Sequence, residues 1–268
     1  MNTAMPRILL ALLGMAFGAV GSAATVEKLT IDDKAVTVKV PAQAAPGRPW
    51  LWVGEFGGHL KKLEDGLVEK GWHVVYVGVS NQFGSARAMG VWEKVYAELT
   101  AKRGLSAKPA LLGISRGGLY INAWARLHPD RVSVLYHDNG VCDVRSWPAG
   151  AKLLAQGKGS PKDWDLYRKE FGFATEQAAL SQSLQATDGL LPAVRAGVVL
   201  ISCHGTADQT VPYGDNAAHL VKLWQDPAGR AGEALSQGRR RSSPARPAGS
   251  QATDRCADDR GEVKVGSR

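Results

Sequence analysis

Two periodicities of apolar residues, separated by glycine and proline, run along residues 25–225 and predict alternating strands and helices. Short apolar runs typical of buried strands lie at Trp50–Val53, His73–Val79, Ala110–Ile114, Val132–Tyr136 and Gly197–Cys203. Apolar positions three and four residues apart predict helices over residues 59–70, 86–102, 119–128 and 217–224. Strands alternating with helices predict an α/β fold with a mostly parallel central sheet and helices on both faces.

The beginning of this region has a different pattern. Apolar and polar residues alternate over Thr25–Val40 around Asp32 and Asp33, which predicts an N-terminal β-hairpin.

Residues from about 145 to 190 also break the alternation of strands and helices, because they are mostly helical and rich in aromatic residues. Inserted at the carboxyl end of the sheet, this segment is predicted to form a helical lid or pocket wall. For most of its aromatic residues, packing of the lid onto the body is the favoured interpretation.

Residues 1–24 have the pattern of a secretory signal peptide. Arg7 supplies the positive charge, residues 8–20 form a short apolar stretch, and Gly21–Ala24 resembles a cleavage site of small residues. The apolar stretch is too short to span a bilayer, and no second one follows, so we expect no lasting membrane anchor. The expected location is therefore secreted or periplasmic. A buried N-terminal helix is the alternative interpretation.

Composition favours a single α/β domain over residues 25–227, since the chain has 268 residues and 44% of them are hydrophobic. The net charge of +8 does not predict nucleic-acid binding, because several arginines lie in an atypical C-terminal segment without interleaved aromatic residues. No cysteine or histidine spacing predicts a metal site. Cys203 is expected to be a buried apolar side chain, with a Cys142–Cys203 disulfide as the alternative.

The sequence Gly113-Ile-Ser-Arg-Gly117 lies between a predicted strand and a predicted helix, the context of a nucleophile elbow. Such a turn holds the serine in strained backbone, and glycine at both ends avoids collisions with the neighbouring strand and helix. Ser115 is therefore the candidate nucleophile, and the backbone N–H of Arg116, at a helix N-terminus, is a candidate oxyanion donor. The alternative is a glycine-rich turn with an incidental serine.

Ser115, followed about 90 residues later by His204-Gly-Thr-Ala-Asp-Gln-Thr-Val-Pro212, resembles the α/β-hydrolase fold over residues 48 to about 225. The segments Phe56-Gly-Gly-His59 and Ser115-Arg-Gly-Gly118 are similar to those of exported bacterial esterase- or peptidase-like members. The resemblance implies that Asp208 is the triad acid and that the loop Glu55–Gly57 supplies the second oxyanion N–H, assigned here to Phe56. A turn aspartate is the alternative role of Asp208. The Arg116 side chain is expected to lie at the surface or pocket rim, with its amide more important than its charge.

The base of the triad is not evident. In this fold the base histidine follows the acid, and the only later histidine, His219, lies within a predicted helix. His204 and His137 precede the acid and His59 lies in an earlier loop, so none of them suits the position.

Residues 228–268 do not resemble the rest of the chain. From residue 229 onward there is no Phe, Trp, Tyr, Ile or Met, and the segment is predicted to be disordered. If suitable codons are assumed for Ser242–Pro247, advancing the reading frame by one nucleotide gives His-His-Pro-His-Gly-Leu. This sequence is similar to the segment that carries the base histidine in the exported bacterial group. An out-of-frame tail is therefore one hypothesis, which the gene sequence decides. A natural disordered tail and a basic nucleic-acid-binding patch are the others.

The function predicted from these patterns is hydrolysis of an ester or amide by a Ser-His-Asp acyl-enzyme mechanism, impaired here by the missing base. A small-molecule or carbohydrate-linked ester is the expected substrate, because no extended peptide groove is indicated, and no cofactor is needed. A peptidase of the same fold and a non-catalytic remnant are the alternatives.

Overall fold

The computed structural model describes residues 23–150, 157–182 and 185–228. The predicted signal peptide, apart from its last two residues, and the predicted disordered tail from residue 229 lie outside the described residues. Within these three ranges, no helix has the length and apolar character needed to cross a bilayer.

A seven-stranded sheet forms the centre of the protein, in the order β1-β2-β4-β3-β5-β6-β7. The strands from β3 to β7 pair in parallel, and β1 and β2 add an antiparallel edge. This arrangement confirms the predicted α/β class. The strands are β1 (Thr25–Ile31), β2 (Lys34–Val40), β3 (Trp50–Val53), β4 (His73–Val77), β5 (Ala110–Ile114), β6 (Val134–Asp138) and β7 (Val199–Cys203).

Helices cover both faces of the sheet, and their bounds lie close to the predicted ones. They are α1 (Lys61–Glu69), α2 (Ala86–Ala97), α3 (Gly117–Leu127), α4 (Pro161–Glu170), α5 (Glu176–Gln182), α6 (Leu191–Arg195) and α7 (Ala217–Gln225). A π-helical segment, Glu98–Lys102, extends α2 to its predicted end. The strand predicted from Val132 instead begins at Val134, because a 3₁₀ turn at Pro129–Arg131 delays pairing with β5 until Ala110 faces Val134.

The predicted hairpin is present as β1 and β2. Asp32 and Asp33 form its two-residue turn with φ angles of 52° and 58°. Left-handed backbone at both central positions is typical of a type I′ turn, whose twist matches that of the strands it joins. The turn therefore sets the register in which Ile31 faces Lys34 and Thr25 faces Val40.

Stacked tryptophans form the centre of the core between the sheet and helices α2 and α3. Trp50, Trp52, Trp92 and Trp124 are all fully buried. The rings of Trp52 and Trp92 stack with their centroids 4.1 Å apart and their planes 17° apart. Large aromatic rings bury much apolar surface, so this stack fixes α2 and α3 against one face of the sheet.

The aromatic residues of the predicted lid pack mainly inward. Trp147, Trp164 and Tyr167 are buried in an apolar cluster with Phe83 and Leu119 of the body. For these residues the structure agrees with the packing interpretation. The helices α4 and α5 are therefore attached to the body beside α3, the helix that follows Ser115.

The last described strand, β7, differs from the expectation of a buried strand. Val199 is 53% exposed and Ile201 is 40% exposed, because β7 pairs with β6 on one side and no described strand pairs with the other. Cys203 is only partly buried and is disulfide-bonded, so the expectation of a buried apolar side chain is wrong. Cys142 is a buried free thiol, which excludes the alternative Cys142–Cys203 disulfide.

Candidate active site

Ser115 lies in a sharp turn between β5 and α3, as the sequence predicts. Its φ angle of 48° is in the left-handed region, which a serine rarely adopts. Three backbone hydrogen bonds hold the turn: Ser115 N donates to Asp138 O at 3.1 Å, and Ser115 O accepts from Val141 N at 2.7 Å and from Gly118 N at 3.0 Å. The strained backbone is thus held by the end of β6 and the loop that follows it, an arrangement expected where a turn presents a nucleophile above a sheet.

Glycines make this close packing feasible. A Cβ on Gly113 would lie 2.8 Å from Gly118 N, and a Cβ on Gly117 would lie 3.1 Å from Glu55 N. Gly118, which the sequence motif does not single out, is the most crowded of the three. Its Cβ would lie 2.8 Å from Val141 N and closer still to Val141 O. Only glycine lets α3 begin directly against this segment.

The two candidate oxyanion donors belong to segments in direct contact, as the short distance between Gly117 and Glu55 N shows. Neither Arg116 N nor Phe56 N donates a hydrogen bond to a carbonyl in the described part of the chain. Phe56 has a φ angle of 59°, an uncommon conformation for a bulky residue. Two unpaired N–H groups beside a strained serine are the components that an oxyanion hole requires.

Asp208 follows β7, two strands away from the strand that ends at Ser115. Parallel neighbours are about 4.8 Å apart, so the two strand ends lie roughly 10 Å apart at one edge of the sheet. Asp208 Oδ1 accepts hydrogen bonds from Thr210 N at 2.8 Å and Val211 N at 2.9 Å, the geometry of a turn aspartate. Oδ2 has no hydrogen-bond partner among the described residues, so this oxygen is available to an imidazole.

All six histidines of the chain lie in its described part, and no ring hydrogen-bonds to Ser115 or Asp208 there. His204 lies nearest in sequence to the acid, but its Nε2 is 3.2 Å from Val211 O. Burial lowers the pKa of His204, which favours the neutral ring. His219 is exposed on α7, and His59 is exposed on the loop after Phe56. The described residues therefore bring together a candidate nucleophile, a candidate acid and two candidate oxyanion donors, and none of the six histidines is placed as a base between them.

His137 belongs to a separate buried group beneath α3. Its Nε2 lies 3.1 Å from Asn122 Oδ1, and its Nδ1 lies 3.7 Å from Cys142 Sγ. Burial lowers the pKa of His137 to about 3 and raises the pKa of the Cys142 thiol to about 12. Both side chains are therefore neutral near pH 7, and the group lacks the thiolate that a nucleophilic cysteine needs. Its role is packing beneath the elbow helix.

Stability is expected to fall as the pH decreases from about 6.5 toward 3, because the unfolded chain protonates His137 and the folded chain does not. Within this window, each pH unit lowers the free energy of unfolding by about 1.4 kcal/mol, because the unfolded chain binds one proton more than the folded chain. The variant His137→Gln should lose less stability than the wild type, by roughly 2 kcal/mol, between pH 6.5 and 5. Urea unfolding at the two pH values measures the difference. Equal slopes for the variant and the wild type would contradict the prediction.

Ser115 lines neither of two cavities found among the described residues. One cavity of about 480 Å³ lies at the opposite end of the fold, between residues 42–46 and the end of α1 at residues 68–71. A smaller cavity of about 90 Å³ lies between α3 and α4, lined by Leu119, Tyr167 and Phe171 among others. Ser115 itself is partly exposed at the carboxyl edge of the sheet.

This strand order and elbow are those of the α/β-hydrolase fold, and three solved structures share it. Oligopeptidase B from Leishmania major is similar with a TM-score of 0.52 and 16% identity, over 80% of this chain and 32% of that one. The 2,6-dihydroxy-pseudo-oxynicotine hydrolase is similar with a TM-score of 0.50 and 17% identity, over 75% of this chain and 57% of that one. An acylaminoacyl peptidase from Pyrococcus horikoshii is similar with a TM-score of 0.50 and 15% identity, over 77% of this chain and 36% of that one.

The chain thus has the α/β-hydrolase fold, which confirms the fold that the resemblance implied. It spans between about one third and 57% of the length of these three proteins. No protein-family model matches the chain, and no curated protein matches it. At 15–17% identity the likeness concerns the fold, and the chemistry must be argued from the site.

Proposed function

We propose that the protein is a serine hydrolase whose site is arranged for ester cleavage, with Ser115 as nucleophile and Asp208 as acid. The observation that carries the proposal is Ser115 itself, held at φ 48° at the end of β5 beside two unpaired N–H groups. A strained nucleophile of this kind persists only where the surrounding structure holds it in place. An incidental serine in a loop would need none of these constraints.

In the proposed reaction, Ser115 Oγ attacks the carbonyl carbon of the ester and the carbonyl electrons move to its oxygen. The N–H groups of Arg116 and Phe56 stabilise that oxyanion. The serine proton requires an acceptor, and an imidazole oriented by Asp208 Oδ2 would serve. Since no histidine of the chain occupies that place in the described structure, the chain supplies transition-state stabilisation with slow proton transfer. Collapse of the tetrahedral intermediate then expels the alcohol and leaves an acyl-serine for water to hydrolyse.

The proposed substrate is a small-molecule or carbohydrate-linked ester, and the proposed location is secreted or periplasmic. Two of the similar structures are peptidases by name, so an amide is the second substrate class to be tested. A protein that only binds, with a serine and an acid but no base, is the competing proposal.

Labelling with a fluorophosphonate probe tests the proposal. We expect covalent labelling at Ser115, together with measurable turnover of p-nitrophenyl acetate, and loss of both in Ser115→Ala. Peptide mapping identifies the labelled residue, and an aminoacyl p-nitroanilide tests amide cleavage. The matched control is Ser133→Ala, a partly exposed serine that precedes β6 at the opposite end of the sheet from Ser115. Absence of labelling and turnover, or labelling unaffected by Ser115→Ala, would favour the non-catalytic protein.

A further inference from the structure

The side chain of Arg116 occupies a place that the sequence does not indicate. It was expected at the surface or rim, but it is only 18% exposed. Its Nη1 donates to Asn81 Oδ1 at 2.8 Å and lies 3.5 Å from Asp163 Oδ1 of α4. Its Nη2 lies 3.5 Å from Glu55 Oε1. The guanidinium therefore connects three separate segments around the nucleophile.

Glu55 needs this cation. Its residue is 2% exposed, and Oε2 is buried without a hydrogen-bond partner. A buried carboxylate is costly unless an opposite charge compensates it. Among the described residues, Arg116 is the cation that forms an ion pair with Glu55. Loss of the guanidinium would leave Glu55 buried and uncompensated, and the loop that carries it would move to reach water.

The residue after Glu55 is Phe56, the candidate donor of the second oxyanion N–H. The Arg116 guanidinium lies over its ring, with Cζ 5.2 Å from the ring centroid. A cation at this distance is attracted to the face of the ring. The same side chain thus contacts both Glu55 and Phe56, and it opposes relaxation of the left-handed backbone at Phe56, whose φ is 59°.

We propose that the Arg116 side chain is a positioning residue that holds the Phe56 N–H in the oxyanion site and fixes α4 against that loop. This inference rests on the proposed function for its catalytic consequence. Arg116 then contributes twice: its own N–H is one oxyanion donor, and its guanidinium keeps the other in place. The geometric part of the proposal stands on contacts alone and can be tested without any turnover.

Hydrogen–deuterium exchange tests the geometric part. In Arg116→Ala, exchange in residues 54–60 is expected to rise at least about tenfold, because the loop opens to solvate Glu55. In Arg116→Lys, the exchange rate of residues 54–60 should lie between those of Arg116→Ala and the wild type. The lysine ammonium can pair with Glu55, but it cannot reproduce the planar set of donors of the guanidinium. If Arg116→Ala does not fold, Arg116→Lys alone decides the test.

Arg87→Ala is the matched control, because Arg87 forms an ion pair with Glu170 of the same helix α4 and does not contact the loop at residues 54–60. It is expected to change exchange near α4 and to leave residues 54–60 unchanged. Exchange of residues 54–60 in the Arg116 variants equal to that of the wild type, or changed as much in Arg87→Ala, overturns the proposal.

Fluorophosphonate kinetics test the catalytic part. The inactivation rate constant should fall about tenfold to a hundredfold in Arg116→Ala, with little change in the half-saturating probe concentration, since an oxyanion donor acts in the transition state. A wild type that is never labelled refutes the proposed function, while the exchange result still decides whether Arg116 positions the loop. A rise confined to the half-saturating concentration overturns the catalytic part.

Discussion

Gly118→Ala is expected to destabilise the protein by about 3 kcal/mol, because overpacking against rigid backbone is among the more damaging core changes. The new Cβ would lie 2.8 Å from Val141 N and closer to Val141 O. Both contacts are with main-chain atoms, so no side chain can rotate away. The displacement would also break the 2.7 Å hydrogen bond from Val141 N to Ser115 O, which holds the elbow. Labelling of Ser115 should be lost together with stability.

Urea unfolding monitored by tryptophan fluorescence measures this effect. Gly66→Ala is the matched control, because Gly66 lies in the helix α1 and a Cβ there meets no atom within 4 Å. Alanine at such a helical position should stabilise the protein by about 0.5–1 kcal/mol. Similar unfolding midpoints for the two variants would show that the contact between α3 and residue 141 is not tight.

Added imidazole is expected to accelerate turnover of p-nitrophenyl acetate at Ser115 by about tenfold or more, because general-base catalysis contributes 10²–10⁴-fold in complete sites. The site has a serine and an Asp208 Oδ2 without a partner among the described residues, and the missing component is a ring that can bridge them. Free imidazole lacks the positioning of a triad histidine, so the rescue should be partial.

The rescue must be specific to the site. It should saturate with imidazole concentration after subtraction of the hydrolysis that imidazole itself causes. Ser115→Ala should remove it entirely, and Asp208→Asn should weaken it, since the amide cannot stabilise an imidazolium. His219→Gln should leave it unchanged, because that ring is exposed on α7. A rate increase of equal size in Ser115→Ala would mean that imidazole acts only in solution.

Much of the fold could be predicted because its signals are local. The strand at residues 110–114 and the helix after Gly117 follow from apolar runs and from periodicity, and the structure has both. The hairpin turn at Asp32 and Asp33 is likewise a property of a few adjacent residues. Where a local signal was weak, as before Val134, the predicted boundary was wrong by two residues, because pairing with β5 decides where that strand begins.

The sequence alone determined the α/β class, the strained turn at Ser115 and the lack of a suitable base, since the only histidine after Asp208 is His219, within a predicted helix. Only the tertiary structure decided that Arg116 is largely buried and that β7 lies at an exposed edge. It also decided that Gly118 meets residue 141. The physical reason is distance along the chain, because the Arg116 side chain contacts residues that are 35, 47 and 61 positions away. A local sequence pattern does not indicate which distant charged residues the fold brings together. Backbone propensity acts within a few residues, whereas charge pairing and close packing act between segments that only the completed fold makes neighbours.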